Sequence, residues 1–159
     1  MIDIGIIDCE DVVLADNIID AAEFYLKILL HQSFYEKLEI DIIIDYEMDN
    51  AGHSYPIDEE VFPKIFEVKL NPENCEEDLL QVLAHEMVHV AQFAKADLYN
   101  YMSLQKEELM LGTKWKQEIW EPNSWEHPYY DAPWEVEAFG KEYGLYRRWL
   151  ESKEIVDVA

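Results

Sequence analysis

His85-Glu86-Met87-Val88-His89 is the stretch of this chain whose residue types and spacing encode a reaction. Two histidines four apart leave the same face of a helix, one turn above the other. They therefore present two imidazoles to one divalent ion, zinc above all. Glu86 stands about 100° round from His85 on a helical projection, beside such a metal rather than on it. There it can take a proton from a water that the metal polarises. The pattern alone is modestly specific, so its surroundings decide.

Residues 76–95 carry the strongest helical pattern. Asp78, Gln81, His85, His89 and Gln92 project into one narrow polar sector, and apolar residues such as Leu79, Leu83, Met87 and Val90 cover the rest. This predicts a helix buried on most sides and open only along the stripe that holds both histidines. Two structural core histidines are the competing reading.

A zinc site needs a third protein ligand. The extended HExxHxxGxxH pattern fails, because Gln92 and Lys95 stand at its Gly and last His positions. A later helix, expected over about residues 133–152 with Asp131 as N-cap, offers carboxylates instead. Glu135 falls in the middle of an apolar arc of Ala138, Phe139, Tyr143, Leu145, Tyr146, Trp149 and Leu150, whereas Glu137 lies opposite with Lys141 and Arg148. A carboxylate aimed into an apolar interior is costly unless a cation or hydrogen bonds meet it. Glu135 is therefore the expected third ligand, with Glu137 and His127 as alternatives. Glu142, two turns along the inward arc, can accept from the free N–H of a ligand histidine or simply reach the rim. Tyr130 is the candidate donor to a reaction oxyanion, with Tyr129 and His127 as alternatives. Core packing or loop anchoring competes for all three.

HEMVHVAQ followed by PWEVEA resembles the gluzincin side of the zincin metallopeptidases. More narrowly it is similar to the small single-domain HExxH proteins of bacteria and their phages, minimal gluzincins and SprT-like domains among them. The resemblance spans roughly residues 60–150. It implies His85, His89 and Glu135 as zinc ligands, Glu86 as general base, and hydrolysis of peptide bonds. Glu135 and Ala138 match an ExxA motif. Phe139 stands where many such families carry an Asp or Asn that braces a ligand histidine. The third histidine and basic tail of SprT-like proteins are missing. The resemblance also implies an exposed edge strand that pairs with substrate, for which residues 65–70 are the candidate.

The 35 acidic residues outnumber 12 basic ones, for a formal net charge of −23. Such a surface repels phosphate backbones, so a nucleic-acid partner is not expected; a basic peptide or protein is. The longest apolar stretch, near Ile18–Tyr35, is cut by Asp20, Glu23, Lys27 and His31, which argues against a membrane span. Acidic Asp3, Asp8, Glu10 and Asp11 do not make a basic signal-peptide start. Cys9 and Cys75 form no CxxC. A cytoplasmic protein is the expectation. Three functions follow: a zinc-dependent peptidase; a catalytically silent, zinc-stabilised acidic module that captures a basic protein; or an acidic decoy with a fortuitous motif.

The elements that must position these residues form one domain over residues 1–159, at a length that hides roughly 70% of its unfolded surface. Strands are expected at 2–8, 40–48 and 65–70, with a loop from Asn50 to Pro56 and a turn at 71–74. A helix is expected at 17–36, capped by Asp16 or Asn17. Two short strands, 108–111 and 115–120, would turn at Gly112-Thr113. The expected fold is α+β and minimal zincin-like. A small sheet packs on the N-terminal and HExxH helices, and the last helix closes the metal site.

Overall fold

The computed structural model of the chain describes residues 2–73, 75–105, 108–120 and 129–157. Side chains are described for these except at 103–105, 108–110 and 155–157. The class is α+β. A four-stranded sheet runs in the order β1 (Asp3–Ile7), β2 (Glu39–Ile44), β4 (Ile65–Leu70), β3 (Gly52–Pro56). β1, β2 and β4 are parallel, and β3 runs antiparallel to β4. Alternation gives the sheet two unlike faces. Ile40, Ile42, Ile44, Phe66, Val68 and Leu70 are buried on one, while Glu39 and Asp41 face solvent on the other. The buried face joins one core with α1 (Val12–Leu29), α3 (Glu76–Ala94) and α4 (Pro133–Asp157). No helix among the described residues is long and apolar enough to cross a membrane.

Several boundaries differ from the expected ones, each for a local reason. α1 starts at Val12, because the Asp11 carboxylate accepts from the Val13 and Leu14 amides; Asp16 and Asn17 lie inside it. It stops at Leu29, where Leu30 and His31 turn extended and His31 caps the separate short helix α2 (Gln32–Tyr35). β2 ends at Ile44, because Asp45 accepts from the Glu47 amide and turns the chain. The 71–74 turn is held where the Asn71 carboxamide accepts from the Glu73 amide; Asn74 lies outside the described residues. Ala132, not Asp131, caps α4: its carbonyl accepts from Val136 N, and Asp131 belongs to the 3₁₀ turn Tyr129–Asp131. Phe139 and Tyr143 of the expected inward arc are exposed.

Two corrections bear on the site. The expected Asn50–Pro56 loop contains strand β3, and β3 is one edge of the sheet, with β1 the other. Residues 65–70 are therefore interior, flanked by β2 and β3, and cannot be the open edge. Further on, β5 (Leu98–Gln105), β6 (Glu108–Trp115) and β7 (Glu118–Trp120) make a second antiparallel sheet, in which β5 is an addition to the expected strands. The chain does not turn at Gly112. That glycine lies within β6 opposite Tyr101, whose ring fills the space its missing Cβ leaves. The turn comes at Lys116 and Gln117, both with positive φ (48° and 72°), as a two-residue hairpin demands.

Candidate metal centre

α3 begins with Glu76, Glu77 and Asp78 against the positive end of its dipole and is buried continuously from Leu83 to Ala94. The projection groups His85, His89 and Gln92 on one stripe, but that stripe is covered rather than open, because it meets Trp134 and Glu135 at the start of α4. His85 Nε2 lies 3.1 Å from His89 Nε2 and 3.3 Å from Glu135 Oε2, and His89 Nε2 lies 3.5 Å from Glu135 Oε1. All three residues are buried, and one ligand atom from each lies within 4.8 Å of the others, a cluster that could hold a metal ion.

The outer partners of each imidazole decide what its inner nitrogen can do. His85 Nδ1 meets Glu142 Oε2 at 2.8 Å, and the other Glu142 oxygen accepts from Gln81 Nε2. His89 Nδ1 meets Gln92 Oε1 at 2.8 Å. Both outer partners are acceptors, so in the neutral imidazoles each Nδ1 carries the proton and each Nε2 turns a lone pair inward. Two imine nitrogens and a carboxylate then converge. Glu135 Oε2 accepts no hydrogen bond from any described residue, despite its burial. Converging buried lone pairs repel unless a cation sits among them. The donor set thus fits a divalent metal, and two imidazoles with one carboxylate are a zinc-type set.

A proton on the inner nitrogens can take the place of that cation: burial pushes the Glu135 carboxyl up, but His85 and His89, as donors toward it, outweigh burial and hold the group at about 2. Burial lowers His85, yet the Glu135, Glu86 and Glu142 carboxylates raise it above its ordinary value.

Glu86 sits beside the cluster, 5% exposed. Ser54 Oγ on β3 donates to Glu86 Oε2 at 2.7 Å. Gly52 on the same strand leaves the room that Glu86 needs. A Cβ there would fall 2.9 Å from Glu86 Oε1 and 2.6 Å from Val82 Cγ1. Neither residue stands out in the sequence, because residues 50–56 read as a loop of turn-forming types.

β3 presents a free backbone beside the cluster. Asn71 N donates to Ala51 O and Ile57 N to Ile65 O, which makes the odd-numbered residues of this strand the hydrogen-bonded ones. Gly52 and Ser54 therefore turn their N–H and C=O groups outward. Among the described residues no strand pairs with that edge.

A cavity of about 730 Å³ opens over the cluster, bounded by Asn50–Tyr55 on one side and by Leu98, Asn100 and Thr113 of the second sheet on another. Tyr129, Tyr130 and Phe139 complete its rim. Tyr130 packs against Tyr129 and Phe139, with ring centroids 5.4 and 6.0 Å away. Burial and the nearby Glu135 carboxylate raise the phenol of Tyr129. Glu137 bonds outside the cluster, to Lys141 at 2.7 Å and Gln92 at 2.9 Å. His127 lies outside the described residues. Phe139 braces nothing; its ring meets the His85 ring edge-on at 4.6 Å, and the bracing falls to Glu142 and Gln92.

Comparison with protein-family models, with curated proteins and with solved structures returns no match for this chain.

Proposed function

We propose that this chain is a zinc-dependent peptidase on a minimal zincin-like fold, with His85, His89 and Glu135 holding the metal and Glu86 as general base. The observation that carries the proposal is the convergence of two imidazole Nε2 atoms on a buried carboxylate oxygen that accepts no hydrogen bond from any described residue, with a second glutamate beside them. Zinc, when bound, supplies Lewis acidity that makes water nucleophilic near neutral pH and polarises a carbonyl.

The chain's own residues supply the rest. Ser54 holds one oxygen of Glu86 and leaves Oε1 to accept a proton from the attacking water and return it to the departing amine. The outward N–H and C=O groups of Gly52 and Ser54 pair with the backbone of an extended peptide, as strand addition requires. The net charge of −23 favours basic peptides. Free Cys9 and Cys75 fit a reducing compartment such as the cytoplasm.

The test is metal content and turnover in one set of purified proteins. Wild type and Glu137→Ala should carry about one zinc per chain, and Glu135→Ala should lose it. Glu86→Gln should keep zinc and abolish cleavage of a peptide library. The rival reading, a zinc-stabilised module that captures a basic protein without turnover, predicts a silent Glu86→Gln and a His85→Ala that unfolds. The Ser54 contact to Glu86 favours the enzyme, because a metal staple has no use for a held carboxylate.

A further inference from the structure

Gln92 is 1% exposed, at the end of the polar stripe of α3. Its orientation is fixed by chemistry. Gln92 Nε2 donates to the Trp134 carbonyl at 3.0 Å and to Glu137 Oε2 at 2.9 Å, and neither of those atoms can donate in return. The amide oxygen must then be the atom 2.8 Å from His89 Nδ1, so His89 Nδ1–H donates to it. One side chain thus does two things at once. It sets the tautomer that frees His89 Nε2, and it ties α3 to the carbonyl one residue before Glu135.

We infer that Gln92 is a positioning residue for both halves of the metal centre: it aims the His89 lone pair and anchors the α4 turn that carries Glu135. The inference rests on the proposal that His85, His89 and Glu135 hold a metal, and it adds a group outside the ligand set and outside the HExxH motif. Lys141, 2.7 Å from Glu137, completes the chain by fixing the carboxylate that receives the Gln92 amide.

The imidazole tautomer is readable without any metal. Nitrogen NMR on the metal-free wild type, followed over a pH series until the ring signals report a neutral imidazole, should show His89 protonated at Nδ1. A wild-type His89 protonated at Nε2 overturns the inference with no variant made. Gln92→Met keeps similar volume but removes acceptor and donor. It should scramble the tautomer and weaken zinc binding about 10- to 100-fold, the usual cost of losing an outer partner. Gln92→Glu keeps an acceptor for His89 but cannot donate to Trp134 O. It should retain the Nδ1–H tautomer while still weakening zinc. A Gln92→Met protein with wild-type tautomer and zinc affinity within about twofold refutes the role. Failure of the two proposals is distinguishable: a wild type with the Nδ1–H tautomer that takes up no zinc overturns the metal assignment and leaves Gln92 only as a tie between α3 and α4, whereas zinc uptake with a His89 protonated at Nε2 in the metal-free protein overturns the role of Gln92 alone.

Discussion

Gly52→Ala tests whether β3 builds the site or merely borders it. The added methyl would lie 2.6 Å from Val82 Cγ1, 2.9 Å from Glu86 Oε1 and 3.0 Å from Glu86 Cγ. Carbon atoms rest at about 3.5–4.0 Å, so roughly 1 Å of room must be found. The strand cannot simply retreat, because its odd-numbered residues are hydrogen-bonded to β4. Val82 is β-branched within a helix and has essentially one rotamer. Glu86 has the freer side chain, so the strain falls on the carboxylate that Ser54 holds from the other side. Overpacking of this kind costs about 1–3 kcal/mol. At about 2–4 °C per kcal/mol for a chain of this size, Tm should fall by roughly 2–12 °C. A displacement of about 1 Å at a catalytic group costs on the order of 100-fold in rate. Zinc content should not change, because the atoms displaced are not ligand atoms. The control is Gly144→Ala, at a helical glycine where an added Cβ would meet nothing within 4 Å and alanine should raise stability by about 0.5–1 kcal/mol. Peptide turnover, bound zinc and thermal melting on the same preparations decide. Wild-type turnover in Gly52→Ala, with normal zinc, would refute the assignment of Glu86 and β3 to one machine.

Four further outcomes are expected. Ser54→Ala removes a hydrogen bond to a buried carboxylate and should lower turnover by the equivalent of about 1.5–3 kcal/mol, with zinc retained; an unchanged kcat counts against Ser54 holding Glu86 for the reaction. Glu142→Ala should weaken zinc about 10- to 100-fold in a competition titration, because His85 loses the acceptor of its Nδ1 proton. Free zinc at about 100 times its Kd should add about 2.7 kcal/mol to the stability of the wild type and nothing to Glu135→Ala, which melting curves will show as roughly 5–11 °C against none. The pH dependence should have opposite signs in the two forms. In metal-free protein His85 is raised, so the stability it contributes is full below its unfolded value near 6.5 and is lost as pH rises through the folded value. A metal must displace that same proton, so the zinc-induced rise in Tm should grow over the same window as pH increases; a rise that shrinks instead rejects His85 as a ligand.

What the sequence could show follows from where the physics is local. The polar stripe of α3 is a periodicity, and it carried both histidines and Gln92 to the same face without tertiary information. Glu135 was legible for the opposite reason: an acid in an apolar arc is an anomaly that burial makes expensive. Phe139 and Tyr143 share that arc and yet are exposed: Phe139 lines a cavity that projection cannot see, while Leu145, Tyr146 and Trp149 of the same arc stay in the core. β3 escaped because its residues, Gly-His-Ser-Tyr-Pro, carry the small and polar side chains an edge beside a buried carboxylate requires, and these are also the residues of loops. Gly112 misled in the same way. Its turn-forming reputation hid a strand position emptied for the Tyr101 ring, while the true turn at Lys116-Gln117 has no glycine to announce it.

The glutamine at 92 bears on how the proposed centre would do without an Asp or Asn at position 139. A ligand histidine needs an acceptor on its outer nitrogen, and any acceptor of the right reach will serve. Here the two imidazoles are served by unlike groups, a carboxylate from α4 for His85 and a carboxamide from α3 itself for His89. The difference has an electrostatic consequence. Glu135 and Glu86 are already buried acids and Glu142 stands behind His85, so a carboxylate behind His89 as well would add one more negative charge to a cluster that already holds three. A neutral Gln92 orients His89 without adding charge. Glu142, at the partly open end, can carry its charge because Gln81 also donates to it. Replacing Gln92 by Glu therefore changes more than one hydrogen bond. The added carboxylate would stand against Glu137, and the α4 turn that carries Glu135 would be pushed from α3 by like-charge repulsion as well as released by the lost donor.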